Sequence, residues 1–384
     1  MQMTDYRSFG QSGLIVSPLS LGTMTFGAGR WGSDLVEARG IFDAYVATGG
    51  NVIDTADVYS GGESERMLGL IVRDSGLRDR LVLSTKSGFA RSQGHPLHGG
   101  NGAINIRLGI EGSLRRLGTD RIDIYWMHVW DRTTPPEEVL RTLAAAVARG
   151  EILYYGFSNT PAWYVAKIAT LAAAQGLPGP VGLQNAWSLI DRGVELDIAP
   201  MAAHFGLGIM PWSPLAGGLL TGKYGREMLV EAGRASAVPN RAMDAETGKS
   251  DRLSGDNPYG GMLFTKRNFG VVDALREVAA ELDVPMAQAA LAWVLSRPGV
   301  STLLMGASRP EQVIANIKAL GITLSQEQQA RLHEASALPA LNPYFIFQLP
   351  HEVIFGGQSV QPWMEAATSR GAALPVSHAA KTAQ

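Results

Sequence analysis

Eight short apolar runs, most of them followed by a stretch with helical periodicity, limit the fold more than any other feature of the chain. The runs lie at 19–24, 51–59, 81–86, 122–128, 152–158, 181–187, 208–213 and 300–306. They are apolar on both sides, which predicts parallel pairing with both faces covered. Helices are predicted at 34–48, 62–74, 105–117, 135–149, 161–175 and 197–205, the one at 135 opening with proline in its first turn. Such a pattern fits an open doubly wound sheet or a closed (β/α)8 TIM barrel. In a closed barrel the strand C-termini share one rim, which is where the chain's Asp, Tyr, Lys and His side chains fall, so the barrel is preferred. Ahead of it, residues 6–9 and 14–16 flank a Gly-Gln-Ser-Gly turn and predict a hairpin that plugs one end. Residues 1–340 are assigned to the barrel and 341–384 to a C-terminal extension, with an aromatic stretch at 342–347 expected to pack back on the barrel or its mouth, and a loose tail from 365.

Composition narrows the function. The chain has 384 residues, a net charge of −2 and no cysteine, which leaves no disulfide, no thiolate metal site and no field to attract nucleic acid or anionic lipid. No apolar run reaches the length of a membrane span, and the residues after Met1 do not form a basic segment followed by an apolar core. A cytoplasmic protein with a small-molecule ligand is the expectation, and a homo-oligomer stays open. Residues 224–269 are polar and long for a connection inside a compact domain, which predicts a lid, a binding loop or local disorder.

Three strand ends carry side chains that packing alone does not call for. The run at 51–59 sheds its apolar residues and presents Asp54, Asp57 and Tyr59; the next delivers Lys86, and the following one His128. Taken singly, each is more simply a packed tyrosine, an ion pair or a core histidine. In a barrel all of these ends share one rim. His95 and His98 lie in a glycine-rich loop without a third convincing metal ligand.

Read together, the chain resembles an aldo-keto reductase. The resemblance runs from Gly-Thr-Met-Thr-Phe-Gly at 22–27 to Gly-Ala-Ser-Arg-Pro-Glu-Gln-Val-Ile-Ala-Asn at 306–316, and includes Asp-Thr-Ala-x-x-Tyr at 54–59. It implies Asp54, Tyr59, Lys86 and His128 as catalytic residues. Carbonyl reduction needs a hydride at carbon and a proton at oxygen, and no side chain supplies the hydride, so a nicotinamide cofactor is implied. Tyr59 would give the proton, the Lys86 ammonium would favour the phenolate, Asp54 would hold the lysine, and His128 would orient the substrate oxygen.

The same resemblance implies the cofactor residues. Thr23 and Met24 end the first strand, Ser158, Asn159 and Gln184 match carboxamide partners, and Trp187 replaces a tyrosine that stacks on the nicotinamide ring. Trp212, Ser213, Pro214, Leu215, Gly217, Leu219 and Lys223 match a loop over the pyrophosphate. Gly306, Ser308, Arg309, Gln312 and Asn316 match the adenosine end, where Ser308 and Arg309 favour NADPH/NADP+ over NADH. Phe26, Trp31, Phe89 and Trp130, with Met24, the 224–269 segment, Tyr344 and Phe345, suggest a pocket for a bulky aldehyde or ketone. Trp-Ser-Pro-Leu-Ala and Leu-Met-Gly-Ala-Ser are similar to the bacterial reductases related to potassium-channel beta subunits, which leaves an NADPH-binding regulatory subunit as one alternative. A Schiff-base lyase using Lys86 is another.

Overall fold

A computed structural model describes residues 1–29, 32–229, 253, 260–358 and 360. Trp31, most of the 224–269 segment and the tail from 365 lie outside the described residues. The chain divides into two compact units, Met1–Ala337 and Leu338–Gln384.

In the first unit a hairpin of β1 (Arg7–Ser8) and β2 (Ile15–Val16) precedes β3 (Leu19–Gly22), β4 (Val52–Asp54), β5 (Val82–Ser87), β6 (Ile122–Met127), β7 (Ile152–Ser158), β8 (Gly182–Gln184), β9 (Gly208–Ile209) and β10 (Leu303–Gly306). The last eight form one parallel sheet in the order β10-β3-β4-β5-β6-β7-β8-β9. A parallel bridge between Ile209 and Val300, with Leu304 N donating to Pro211 O at 3.0 Å, joins its two edges into an eight-stranded barrel. The helices are α1 (Leu35–Ala47), α2 (Glu63–Ser75), α3 (Ala103–Leu117), α4 (Pro136–Ala148), α5 (Ala162–Gln175), α6 (Ile198–Phe205), α7 (Gly260–Leu263), α8 (Lys266–Glu281), α9 (Met286–Leu295), α10 (Pro310–Ile317) and α11 (Gln326–Ala335), with α12 (His351–Ile354) in the second unit. No single helix among the described residues is long and apolar enough to cross a membrane.

Local chemistry sets the boundaries. Asp34 caps α1 in a reciprocal box with Glu37, and glycines in the left-handed region end α2, α3, α5 and α6. Several strands are shorter than their apolar runs. The run at 208–213 pairs regularly only at Gly208–Ile209, because Pro211 has no N–H for the ladder. The run at 51–59 leaves the sheet after Asp54, and Tyr59 opens a tight turn (Tyr59–Gly62) in which Ser60, Gly61 and Gly62 all have positive φ.

The hairpin closes one end of the barrel as the turn chemistry implied. Phe9, Leu14 and Val16 pack with Val52, Val82, Ile124, Trp126 and Met210 in a cluster inside the strands. A Cβ at Gly182 would lie 2.1 Å from Phe9 Cε1, and one at Gly208 2.9 Å from Phe9 Cδ1. These two positions admit only glycine while the ring is there. The other end, where the strand C-termini emerge, is left to the polar residues. In the second unit, Phe345, Phe347, Val353, Ile354 and Phe355 are exposed on short turns and α12.

Candidate active site

Asp54 ends β4 with its carboxylate buried. Oδ1 accepts from Ser84 Oγ at 2.5 Å and Gln184 Nε2 at 2.9 Å, while Oδ2 accepts from Lys86 Nζ. Lys86 Nζ also donates to Thr55 O at 2.7 Å and to the Tyr59 hydroxyl at 3.3 Å. All three donors of the ammonium are therefore engaged. Burial alone would lower the lysine pKa, but Asp54 and Tyr59 outweigh it and hold the group above its ordinary value. A protonated, fully engaged nitrogen has no lone pair for a carbonyl carbon, which removes the basis of the Schiff-base alternative.

Tyr59 reaches the lysine because the chain reverses direly after it. Ser60 adopts φ 49° and donates its Oγ to Phe26 O at 3.1 Å, a left-handed conformation that costs energy away from glycine. His128 follows β6, with its backbone N–H on Ser87 O at 2.8 Å. Its ring lies edge-on to Tyr59 (centroids 5.9 Å apart) and to Phe89 (4.8 Å). Burial, assisted by Lys86, pushes its pKa down to about 3, so the imidazole is neutral, and Nδ1 is buried without a partner. Asn159, left-handed at φ 49°, ties β7 to this strand end through Nδ2 to His128 O at 2.9 Å.

The residues assigned to the cofactor divide into two groups. Ser158 and Gln184 are register partners on β7 and β8, beside exposed Asn159. Ser213, Ala216, Gly217, Gly218 and Gly222 all have positive φ, so the 212–223 loop turns repeatedly after β9 with Trp212, Ser213, Leu215 and Gly217 partly accessible, Pro214 covered and Lys223 exposed. At the end of β10, Gly306 and Arg309 are exposed, Asn316 is buried in α10, and Gln312 Oε1 accepts from Ser308 N at 2.8 Å.

Others are committed elsewhere. Thr23 is fully buried, its Oγ1 shared with Ser64 Oγ at 2.8 Å, and Leu219 is a core side chain. Phe26 is fully buried in the core, with Phe26 N donating to Thr23 O and Ser33 N to Thr25 O, both at 2.9 Å. Trp187 is 3 % exposed and donates Nε1 to Glu195 Oε1 at 3.0 Å, a bond that fixes the edge of the indole. Of the remaining wall residues, Met24 and Trp130 are half-buried and Phe89 is 44 % exposed. Tyr344 and Phe345 belong to the second unit. Ser84 and Thr55, which complete the Asp54–Lys86 pair, were not singled out in the sequence; the signal was Ser-Thr-Lys interrupting an apolar run. His95 and His98 stack at 4.6 Å, and no group of three or more metal-ligating side chains gathers among the described residues.

An eight-stranded parallel barrel with Asp54, Tyr59, Lys86 and His128 joined at its C-terminal rim defines an enzyme-like class of site. Comparison with known proteins places the chain within a family: the Aldo/keto reductase family model matches residues 18–337, and the chain belongs to that family. It is 33% identical over 355 residues to norsolorinic acid reductase A of Aspergillus parasiticus, covering 88% of this chain and 83% of that one. It is 32% identical to an NADP(+) aryl-alcohol dehydrogenase of Phanerodontia chrysosporium, over 87% and 86% of the two chains. It is also 36% identical to a probable voltage-gated potassium channel subunit beta of Oryza sativa subsp. japonica, over 83% and 91%.

Proposed function

We propose that the protein is an NADPH-dependent oxidoreductase that interconverts an aromatic aldehyde or ketone and its alcohol. The observation that carries this reading is the buried Lys86 ammonium bridging Asp54 and the Tyr59 hydroxyl, next to a neutral His128. NADPH, when bound, supplies the hydride. Ser158, Asn159 and the Oε1 of Gln184 suit the carboxamide, since Gln184 Nε2 is engaged with Asp54. The 212–223 loop, with its repeated positive φ, offers backbone N–H groups for a pyrophosphate. Ser308 and exposed Arg309 suit the 2′-phosphate.

On the substrate side, Tyr59 gives its proton to the carbonyl oxygen while the Lys86 charge stabilises the phenolate left behind. His128 donates one N–H to the same oxygen, and its neutrality keeps it from competing as the acid. Phe89 and Trp130 supply aromatic surface, and two of the relatives carry names that refer to an aryl alcohol and to norsolorinic acid, which supports an aromatic substrate. The relative named as a channel subunit supports a second reading, a cofactor-binding subunit with little turnover.

NADPH absorbance, followed with a panel of aryl aldehydes and ketones, tests both readings. Tyr59→Phe is expected to lower kcat by about a hundredfold or more, the scale of one general acid, with NADPH binding unchanged. Full turnover in that variant would remove Tyr59 as the proton donor, and absence of turnover in the wild type would favour the second reading.

A further inference from the structure

The connection that leaves β5 rests on an ion pair that this chemistry does not use. Asp57, whose side chain is 0% exposed, faces Arg91 NH1 through Oδ2 at 3.4 Å, and its Oδ1 is buried without a partner. Its backbone N–H donates to Lys86 O at 3.0 Å, so it belongs to the same turn that carries Tyr59. The neighbouring carboxylate, Glu65, is engaged by Arg116 Nε at 2.5 Å and Thr85 Oγ1 at 2.6 Å. Arg91 is therefore the cation that meets the Asp57 carboxylate directly, with Arg116 acting on it from farther off.

Arg91 lies in a loop that is closed on itself. Gly100 N donates to Gly88 O at 2.8 Å, and Arg91 N to His98 O at 2.9 Å. Past its base, Asn101 donates from N to Asp131 Oδ2 and from Nδ2 to Val129 O, both at 2.7 Å, which ties one side to the connection after β6. The Asp57–Arg91 pair ties the other side to the Tyr59 turn. Phe89, shortly before Arg91, stands over His128 with ring centroids 4.8 Å apart and nearly half its surface open.

We propose that Asp57 and Arg91 are positioning residues that pin the 88–100 loop, so that Phe89 forms a fixed wall beside His128 and favours flat aromatic carbonyl compounds. The substrate part rests on the oxidoreductase reading; the pinning does not. A wall of this kind acts on substrate binding and leaves the reacting groups alone, so its loss appears in KM and not in kcat.

The test uses the full chain with NADPH, 4-nitrobenzaldehyde and propanal. Arg91→Ala should raise KM for the aryl aldehyde about three- to tenfold, the size of one aromatic contact, with kcat, propanal KM and NADPH affinity unchanged. Arg91→Lys should recover part of the loss. Phe89→Ala should raise KM for the aryl aldehyde as much as Arg91→Ala does, and the double variant should raise it no further, because both changes remove one contact. Amide hydrogen exchange across 89–100 should rise at least about tenfold in Arg91→Ala but not in Phe89→Ala. Additive losses, or an equal loss for propanal, would overturn the role of Phe89. Unchanged exchange would overturn the pinning. If the wild type reduces neither aldehyde, the oxidoreductase reading fails, and the exchange measurement still decides whether the pair holds the loop.

Discussion

Gln184 donates its Nε2–H to Asp54 Oδ1 at 2.9 Å, joining two residues 130 positions apart inside the mouth of the barrel. Ser84 shares that oxygen and Lys86 takes the other, so the carboxylate that holds the lysine is itself held from β5 and from β8. Removing one donor from a buried carboxylate leaves a desolvation cost with no compensating bond. Gln184→Ala should therefore lower stability by about 1–3 kcal/mol, seen as a lower urea midpoint with an unchanged slope. An unchanged midpoint would show that the Gln184 amide is not a working partner of Asp54.

His128 gives a pH dependence of definite sign. Its pKa falls from the ordinary 6.5 to about 3, through burial first and Lys86 second. Below about pH 6.5 the unfolded chain takes up a proton that the fold refuses, so stability declines with pH; above it the group contributes nothing. At pH 5 the loss is about 2 kcal/mol on a scale of 1.36 kcal/mol per pKa unit. His128→Gln should lose less stability than the wild type between pH 7 and 5 in chemical denaturation. A difference between the two proteins that does not vary with pH would mean that the imidazole is charged in the fold.

The legible part of this site was the set of polar residues ending apolar runs. Asp54, Lys86 and His128 stand at strand termini, and a barrel brings such termini to one rim whatever the details of packing. Tyr59 was harder to place, because it lies beyond its strand and its position depends on the left-handed turn at Ser60, Gly61 and Gly62. Phe26 and Trp187 were harder to place for a common reason: aromatic residues next to a motif do not reveal which side they face. Trp187 is covered in company with Glu195, whose own place is fixed by Arg192 at 2.8 Å. The Gln184–Asp54 bond and the Asp57–Arg91 pair are contacts between separate strands and loops, and no periodicity along the chain encodes them.

Asp57 should be a residue that costs stability. Burial, then the charge of Glu65, raise its pKa from 3.8 to about 7 against the opposing pull of Arg91 and Arg116; Tyr125 on β6 also faces it, and Lys86 lies alongside on β5. For an acid whose folded pKa is raised, the fold binds the proton more tightly than the unfolded chain does. The penalty is absent below about pH 3.8, grows between 3.8 and 7, and is complete above 7. Asp57→Asn should thus be more stable than the wild type at pH 8, by an amount on the order of a few kcal/mol, and little different at pH 4. The same variant should show faster exchange in the 88–100 loop. Higher global stability with a looser loop is the pattern expected where a buried charge is kept for position. A variant less stable than the wild type at pH 8 would show that Arg91 and Arg116 already compensate the charge.

Arg309 supplies the last prediction, because its guanidinium is exposed at the start of α10 and forms no ion pair among the described residues. Ser308 beside it has its N–H and Oγ turned to Gln312 Oε1, at 2.8 and 3.2 Å, so the serine is already oriented while the arginine is available. A phosphate there would gain a charge-assisted hydrogen bond that a hydroxyl cannot match. Arg309→Ala should therefore weaken NADPH binding about ten- to a hundredfold and NADH binding hardly at all, measured by titration of cofactor fluorescence. Added salt should weaken NADPH binding to the wild type more than to the variant, since only the wild type has that exposed cation to screen. Equal losses for both cofactors would place the 2′-phosphate away from this helix start and remove the structural reason for preferring NADPH.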